Sequence, residues 1–144
     1  MTRQEHKGRC HCGAVRFEVR LTDGLSTARR CNCSLCRMRG AIAVTANVGD
    51  LNILQGADRL TTYQFNTRTA KHYFCSVCGI YTHHQRRSNS VEYGINAACL
   101  EGVSPFDFPD VVVYDGVQHP SDLKHATGPK VAGHLRFFAA DAAG

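Results

Sequence analysis

Three thiols fall within Cys31-Asn32-Cys33-Ser34-Leu35-Cys36, with Arg29 and Arg30 before them and Arg37 and Arg39 after. Cysteine is a sparse and mostly buried residue, so a run this dense is a site rather than packing. Cys-x-Cys-x-x-Cys is short enough for all three sulfurs to converge on one point. Thiolates at one point select a soft divalent ion, zinc above all. Three protein ligands leave a tetrahedral ion one position short, which is the pattern of a catalytic metal, whereas structural sites are closed by four. Three thiolates also donate enough charge to weaken the ion as a Lewis acid. Such a centre suits holding a substrate thiol as thiolate better than polarising a carbonyl, and its ion would be labile toward substrate thiols.

The other five cysteines are Cys10, Cys12, Cys75, Cys78 and Cys99. Cys10-His11-Cys12-Gly13 and Cys75-Ser76-Val77-Cys78-Gly79 are two compact pairs, each followed by glycine. A metal-binding knuckle folds the backbone tightly, and the residue leaving it often needs positive φ. Together the pairs make a Cys₄ set that would close a structural tetrahedral site. The long gap between them is no obstacle, because loop-closure entropy grows only logarithmically with length. Disulfides are the alternative, since eight is an even number of cysteines. Against them, Met1–Gly8 has no apolar stretch resembling a secretory signal, and the triad is too crowded for three separate partners. A redox pair at Cys75–Cys78 would want a βαβ pattern around it, and none is visible. Cys99 reads as a small buried hydrophobe, with service as a fourth ligand to the triad as the alternative.

At 144 residues, 43% hydrophobic and 20% charged, the chain reads as one globular domain spanning 1–144. No apolar run approaches the roughly 18 residues of a membrane span. Clustered thiols and no secretory signal point to the cytoplasm. The formal charge of +5 favours anionic partners without choosing between a nucleic acid and a small acidic substrate.

The elements that must position these groups read as strands. Ala14 to Leu21 alternates apolar and charged residues, the period of a half-buried strand, and Asp23-Gly24 should end it. Further strands are expected at Ala41–Ala46, Leu51–Gly56, Leu60–Phe65, Ala70–Phe74, Ile80–His84, Ser90–Ile95 and Val111–Tyr114. A helical turn is expected only around Leu35–Arg39, ended by Gly40. The N-terminus reads as a polar tail, Leu100–Asp110 as loop, and the ending Ala-Ala-Asp-Ala-Ala-Gly as frayed. The chain should be mainly β.

Gly-Arg-Cys-His-Cys-Gly-Ala-Val-Arg-Phe-Glu-Val (8–19), Cys-Asn-Cys-Ser-Leu-Cys-Arg (31–37) and Phe-Cys-Ser-Val-Cys-Gly (74–79) resemble the glutathione-dependent formaldehyde-activating enzyme family. Asn-Ala-Ala-Cys-Leu-Glu-Gly (96–102) and Tyr-Asp-Gly-Val-Gln-His-Pro (114–120) extend the resemblance. It covers about 8–120 and leaves 121–144 unassigned. It implies several coiled antiparallel sheets organised around a Cys₄ zinc site. It implies two zinc ions, a structural one on Cys10, Cys12, Cys75 and Cys78 and a catalytic one on Cys31, Cys33 and Cys36. The reaction it implies is addition of glutathione to formaldehyde, a carbon–sulfur lyase reaction when written in reverse.

Around that chemistry, His72, His83, His84 and His11 lie near the knuckles and are candidates for moving a proton. Arg30, Arg37 and Arg39, with Arg29, could receive the carboxylates of a small thiol such as glutathione. A zinc-ribbon module binding nucleic acid or protein is the competing class, and a metal-free cysteine redox protein is a third. The open triad and the scattered aromatics disfavour nucleic acid. A homo-oligomer is compatible with everything above.

Overall fold

A computed structural model describes residues 4–117 and 130–140. Its strands are β1 (Gln4–Arg9), β2 (Arg16–Leu25), β3 (Arg29–Cys31), β4 (Ala43–Gln55), β5 (Leu60–Tyr63), β6 (Lys71–Cys75), β7 (Tyr81–Gln85), β8 (Glu92–Asn96), β9 (Asp110–Tyr114) and β10 (Val131–Arg136). A short helix, α1 (Ser34–Arg39), carries the end of the triad. The protein is mainly β, as its alternation implies.

Hydrogen bonding runs in the order β10-β9-β3-β4-β8-β7-β6-β5, while β1 pairs with β2 and β2 with β4. The joint is β4. It pairs with β8 over Ala43 to Asn47 and with β2 over Ala46 to Gln55, so two open sheets share one strand. The pairings are antiparallel except that of β3 with β9, which is parallel.

Period-2 alternation in β2 buries Phe17, Val19 and Leu21 completely and leaves Arg16 and Arg20 outside. Those three pack with Val44, Ala46, Ile95, Leu100 and Val111 in one cluster where the two sheets meet. Full burial of each large side chain contributes about 1.5–3 kcal/mol. A second cluster holds Cys10, Val15 and Cys75 with Ala14, Leu60 and Cys78 around them.

Several boundaries differ from the pattern-based expectation, each for a physical reason. Ala41–Ala46 and Leu51–Gly56 are not two strands but parts of one continuous β4. The strand survives Gly49-Asp50 because its partner changes there, from β8 to β2. Asp23-Gly24 does not end β2. The chain turns at Ser26–Ala28 instead, where Ser26 N–H donates to Asp23 O and Ala28 N–H to Leu25 O. The polar N-terminal stretch is the strand β1, and its Gln-Glu-His-Lys-Gly-Arg sequence shows no apolar period. β10 lies in the unassigned tail and is largely exposed, pairing with β9. Residues 118–120, the end of the resemblance, lie outside the described residues, as do 121–129 of the tail and 141–144 of the expected frayed end. Leu100–Asp110 is loop and turn as read except at its ends, where Leu100 bridges to Gly8 and Asp110 opens β9; a short turn at Pro105–Asp107 is capped by Ser104.

Candidate metal centres and the adjoining cavity

The eight cysteines are free thiols, and seven of them gather into the two groups that their spacing suggests. Within Cys10, Cys12, Cys75 and Cys78, and again within Cys31, Cys33 and Cys36, the sulfurs all lie within 4.8 Å of one another. Both sets are dense enough in sulfur to hold a metal ion, and a thiolate set of this kind is compatible with zinc.

The four-sulfur group joins two turns. Cys10 and Cys12 sit between β1 and β2; Cys75 ends β6, and Cys78 lies in the turn to β7. Sγ of Cys10 lies 3.6 Å from that of Cys12, which lies 3.8 Å from that of Cys75. Backbone amides aim at the sulfurs, Val15 N–H at Cys10 (3.3 Å) and Val77 N–H at Cys75 (3.4 Å). Gly13 and Gly79 leave these turns at φ +80° and +78°, the conformation the knuckle reading requires. Against its burial, backbone N–H donors at Cys12 and Ile80 hold the Cys78 thiol down to about 6.

The triad is built differently. Cys31 ends β3, Cys33 caps α1 and Cys36 lies in its first turn. Cys33 N–H donates to Cys31 Sγ and Cys36 N–H to Cys33 Sγ, both at 3.4 Å. Asn32 fastens this loop to the end of β9. Its N–H donates to Tyr114 O, and its Oδ1 accepts from Gly116 N–H at 2.8 Å and Val117 N–H at 3.3 Å. As bare thiols the three share their protons unequally. S–H donation from Cys31 and Cys36 pulls Cys33 far down, while each of those two is pushed up, Cys31 chiefly by Cys33 and Cys36 chiefly by Cys31.

The triad opens onto a cavity of about 820 Å³, a volume that suits a small-molecule ligand. Arg29, Arg30, Arg37, Arg39, Arg86 and Arg87 all line it, so its wall is strongly cationic. Arg39 is already engaged within that wall. One Nη donates to Cys36 Sγ (3.5 Å), the other to His72 Nδ1 (3.0 Å), and the guanidinium lies 3.7 Å above the Tyr81 ring. Tyr81 Oη in turn meets His84 Nδ1 at 2.5 Å and donates toward Gly94 O at 3.2 Å.

A bulge decides which histidines face this cavity. The register of β6 against β7 slips between Tyr73 and Phe74, leaving Thr82 as the extra residue. Strict alternation would put Tyr81 and His83 on one face. The bulge instead puts Tyr81 and His84 on the cavity wall beside His72, whose ring stacks on His84 at 5.3 Å. His83 turns away to stack on Tyr73 at 4.5 Å. Burial, then the Arg39 charge, holds His72 down to about 4, and the same two causes hold His84 well below its usual value. Both are uncharged at neutral pH. His11 lies exposed in the β1–β2 turn, away from the cavity. Cys99 belongs to the main core, donates to Tyr81 O and is absent from both sulfur groups.

Residues 5–114 match the glutathione-dependent formaldehyde-activating enzyme family. This chain belongs to that family. A Halomonas elongata protein whose name places it there too is 35% identical over 80 residues, covering 50% of this chain and 50% of the relative. The chain thus matches about half the length of that curated relative. A crystal structure of a Rhodobacter sphaeroides protein is similar at 65% identity and a TM-score of 0.72, covering 73% of this chain and 96% of that one. All eight cysteines fall inside the family's matched span, whereas β10 falls outside it. No helix among the described residues is long and apolar enough to cross a membrane.

Arg86, Tyr81, Asn32 and Gly116 belong to the site although pattern reading does not single them out. The doubled arginine at 86–87 echoes that at 29–30 and was a usable signal. Tyr81 depends on the bulge, which leaves no mark in the sequence.

Proposed function

We propose that this protein is a zinc enzyme of the carbon–sulfur lyase type that adds a small thiol to an aldehyde, with glutathione and formaldehyde as the substrates the family name suggests. The observation that carries the reading is the contrast between the two sulfur groups. Three sulfurs converge at the wall of an open cationic cavity, while four converge between two turns without entering it. Cys10, Cys12, Cys75 and Cys78 would hold a structural zinc and Cys31, Cys33 and Cys36 a catalytic one. Zinc held by the triad would lower the pKa of a substrate thiol so that it ionises near neutral pH.

The chain's own groups do the rest. Arg39 draws charge from Cys36 and fixes the face of α1 toward β6 and β7. Arg30 and Arg37, with Arg29, receive the carboxylates of the thiol, which accounts for a cationic wall beside a sulfur site. The thiol sulfur attacks the aldehyde carbon, and the carbonyl oxygen takes up the proton the thiol released. Neutral His72, whose Nδ1 already accepts from Arg39, presents Nε2–H as a donor, and neither it nor neutral His84 adds positive charge to the wall. The arginines converge into a concavity and do not form an open stripe, which favours a small acidic substrate over nucleic acid. The grouped free thiols support a reducing, cytoplasmic setting.

The test is serine at Cys31, Cys33 and Cys36 together. The expected result is a folded protein with one zinc equivalent fewer, no accelerated hemithioacetal exchange by NMR, and no glutathione competition for the remaining ion. Unfolding as severe as that produced by serine at Cys10, Cys12, Cys75 or Cys78 would overturn the open-site reading.

A further inference from the structure

Arg86 directly follows β7, and its side chain is only 5% exposed although it borders the cavity. Burying a guanidinium is costly unless its donors are used. Its Nη1 faces Glu92 Oε1 at 3.6 Å, too long for a good hydrogen bond. Among the described residues Nε and Nη2 have no hydrogen-bond partner at all. These two are not an arbitrary pair. Nε–H and Nη2–H point the same way from the guanidinium plane and form the fork that takes both oxygens of one carboxylate.

The surroundings make the fork more anion-seeking. Burial and then the neighbouring Arg29 charge lower Arg86 to about 10, so it stays cationic at neutral pH while repelled by its neighbour. An anion between Arg86 and Arg29 relieves both the burial and the repulsion. Tyr81 and His84 occupy the wall next to it; the carboxylates nearby are Glu92, which faces Nη1 and leaves the Nε/Nη2 edge unused, and Asp115 in the cavity lining.

We infer that the Nε/Nη2 edge of Arg86, beside Arg29, seats one carboxylate of the substrate and is a specificity-determining contact. The identity of that substrate as a thiol rests on the function proposed above; the carboxylate seat does not. Both nitrogens are closed to water, so seating an anion on them requires the neighbouring 86–88 backbone to give way.

The probe is S-methylglutathione, which keeps both carboxylates and has no free thiol, compared by calorimetry with its diethyl ester, which keeps only the ammonium charge, on zinc-loaded protein; the readout is how the acid-to-ester ratio changes on substitution. The acid is expected to bind at least about tenfold tighter than the ester, and Arg86→Lys to remove most of that advantage, since lysine keeps charge without the fork. An unchanged acid-to-ester ratio in Arg86→Lys overturns the inference. Should that variant fold poorly, the Arg86 Nε–H resonance of the unsubstituted protein is followed, assigned through its own backbone. It should move with the acid and not with the ester, and a still resonance overturns the inference. Inorganic phosphate moving it equally at the same concentration overturns the carboxylate assignment. The serine triad variant separates the two proposals. If it still binds the acid through Arg86 while thiol–aldehyde exchange was never catalysed, the seat stands and the function falls. If exchange is catalysed but Arg86 does not respond, only the seat falls.

Discussion

Gly116 leaves no room for a side chain. A Cβ there would sit 2.2 Å from Cys31 Sγ and 2.8 Å from Cys33 Cβ, so the loop after β9 lies directly against the triad. Neither neighbour is the far end of a flexible side chain, because both are tied into the sulfur loop by backbone hydrogen bonds. Gly116→Ala should therefore displace the triad sulfurs and leave the distant four-sulfur group alone. We expect zinc stoichiometry to fall from two equivalents toward one, with thermal melting shifted by only a few degrees. Two retained equivalents would show that the loop can retreat. Arg39 illustrates the same economy of space: one side chain holds Cys36, His72 and Tyr81, and a lysine could not span all three.

At the scale of elements, the four-sulfur group matters because it ties the β1–β2 turn to the β6–β7 turn, across 63 residues of sequence between Cys12 and Cys75. A structural zinc contributes about 10–16 kcal/mol of apparent binding energy, as much as the roughly 5–15 kcal/mol stability of a whole domain. Cys75→Ser should consequently unfold the protein or render it insoluble, read by circular dichroism and by the soluble fraction. A cooperative melt near that of the unsubstituted protein would sink the structural assignment. Both sulfur groups were legible in the sequence, because ligand type and spacing act locally. So was β2, where burial on one face alone imposes the period. The parts that could not be read are those set by partners. Asp50 looks like a turn until β2 pairs with the strand around it. Arg29–Cys31 is too short to show any period. The bulge at Thr82, which sorts His84 from His83, is fixed by β6 and not by its own neighbours.

For the whole molecule, buried neutral histidines set an acid limit. His83 is held down to about 4 by burial, against 6.5 for an ordinary histidine. The unfolded chain therefore binds this proton more readily than the folded one. Stability is unaffected above 6.5 and is lost as the pH falls from there toward 4. From pH 7 to pH 5 the loss from this residue is about 2 kcal/mol. Urea melts at the two pH values should show His83→Phe losing less stability than the parent by that amount; equal losses would mean His83 is not the group responsible. The parallel pairing of β3 with β9 has a consequence in time. As the chain leaves the ribosome, the three triad sulfurs emerge almost together, but Gly116, which Asn32 must grip, follows 84 residues later. Cys75 comes sooner, so the centre between the two turns can close while the triad is still an unseated loop of the growing chain. Throughout that interval three thiols stand open to any metal or oxidant they meet, and the wall around them is completed only once the end of β9 has emerged.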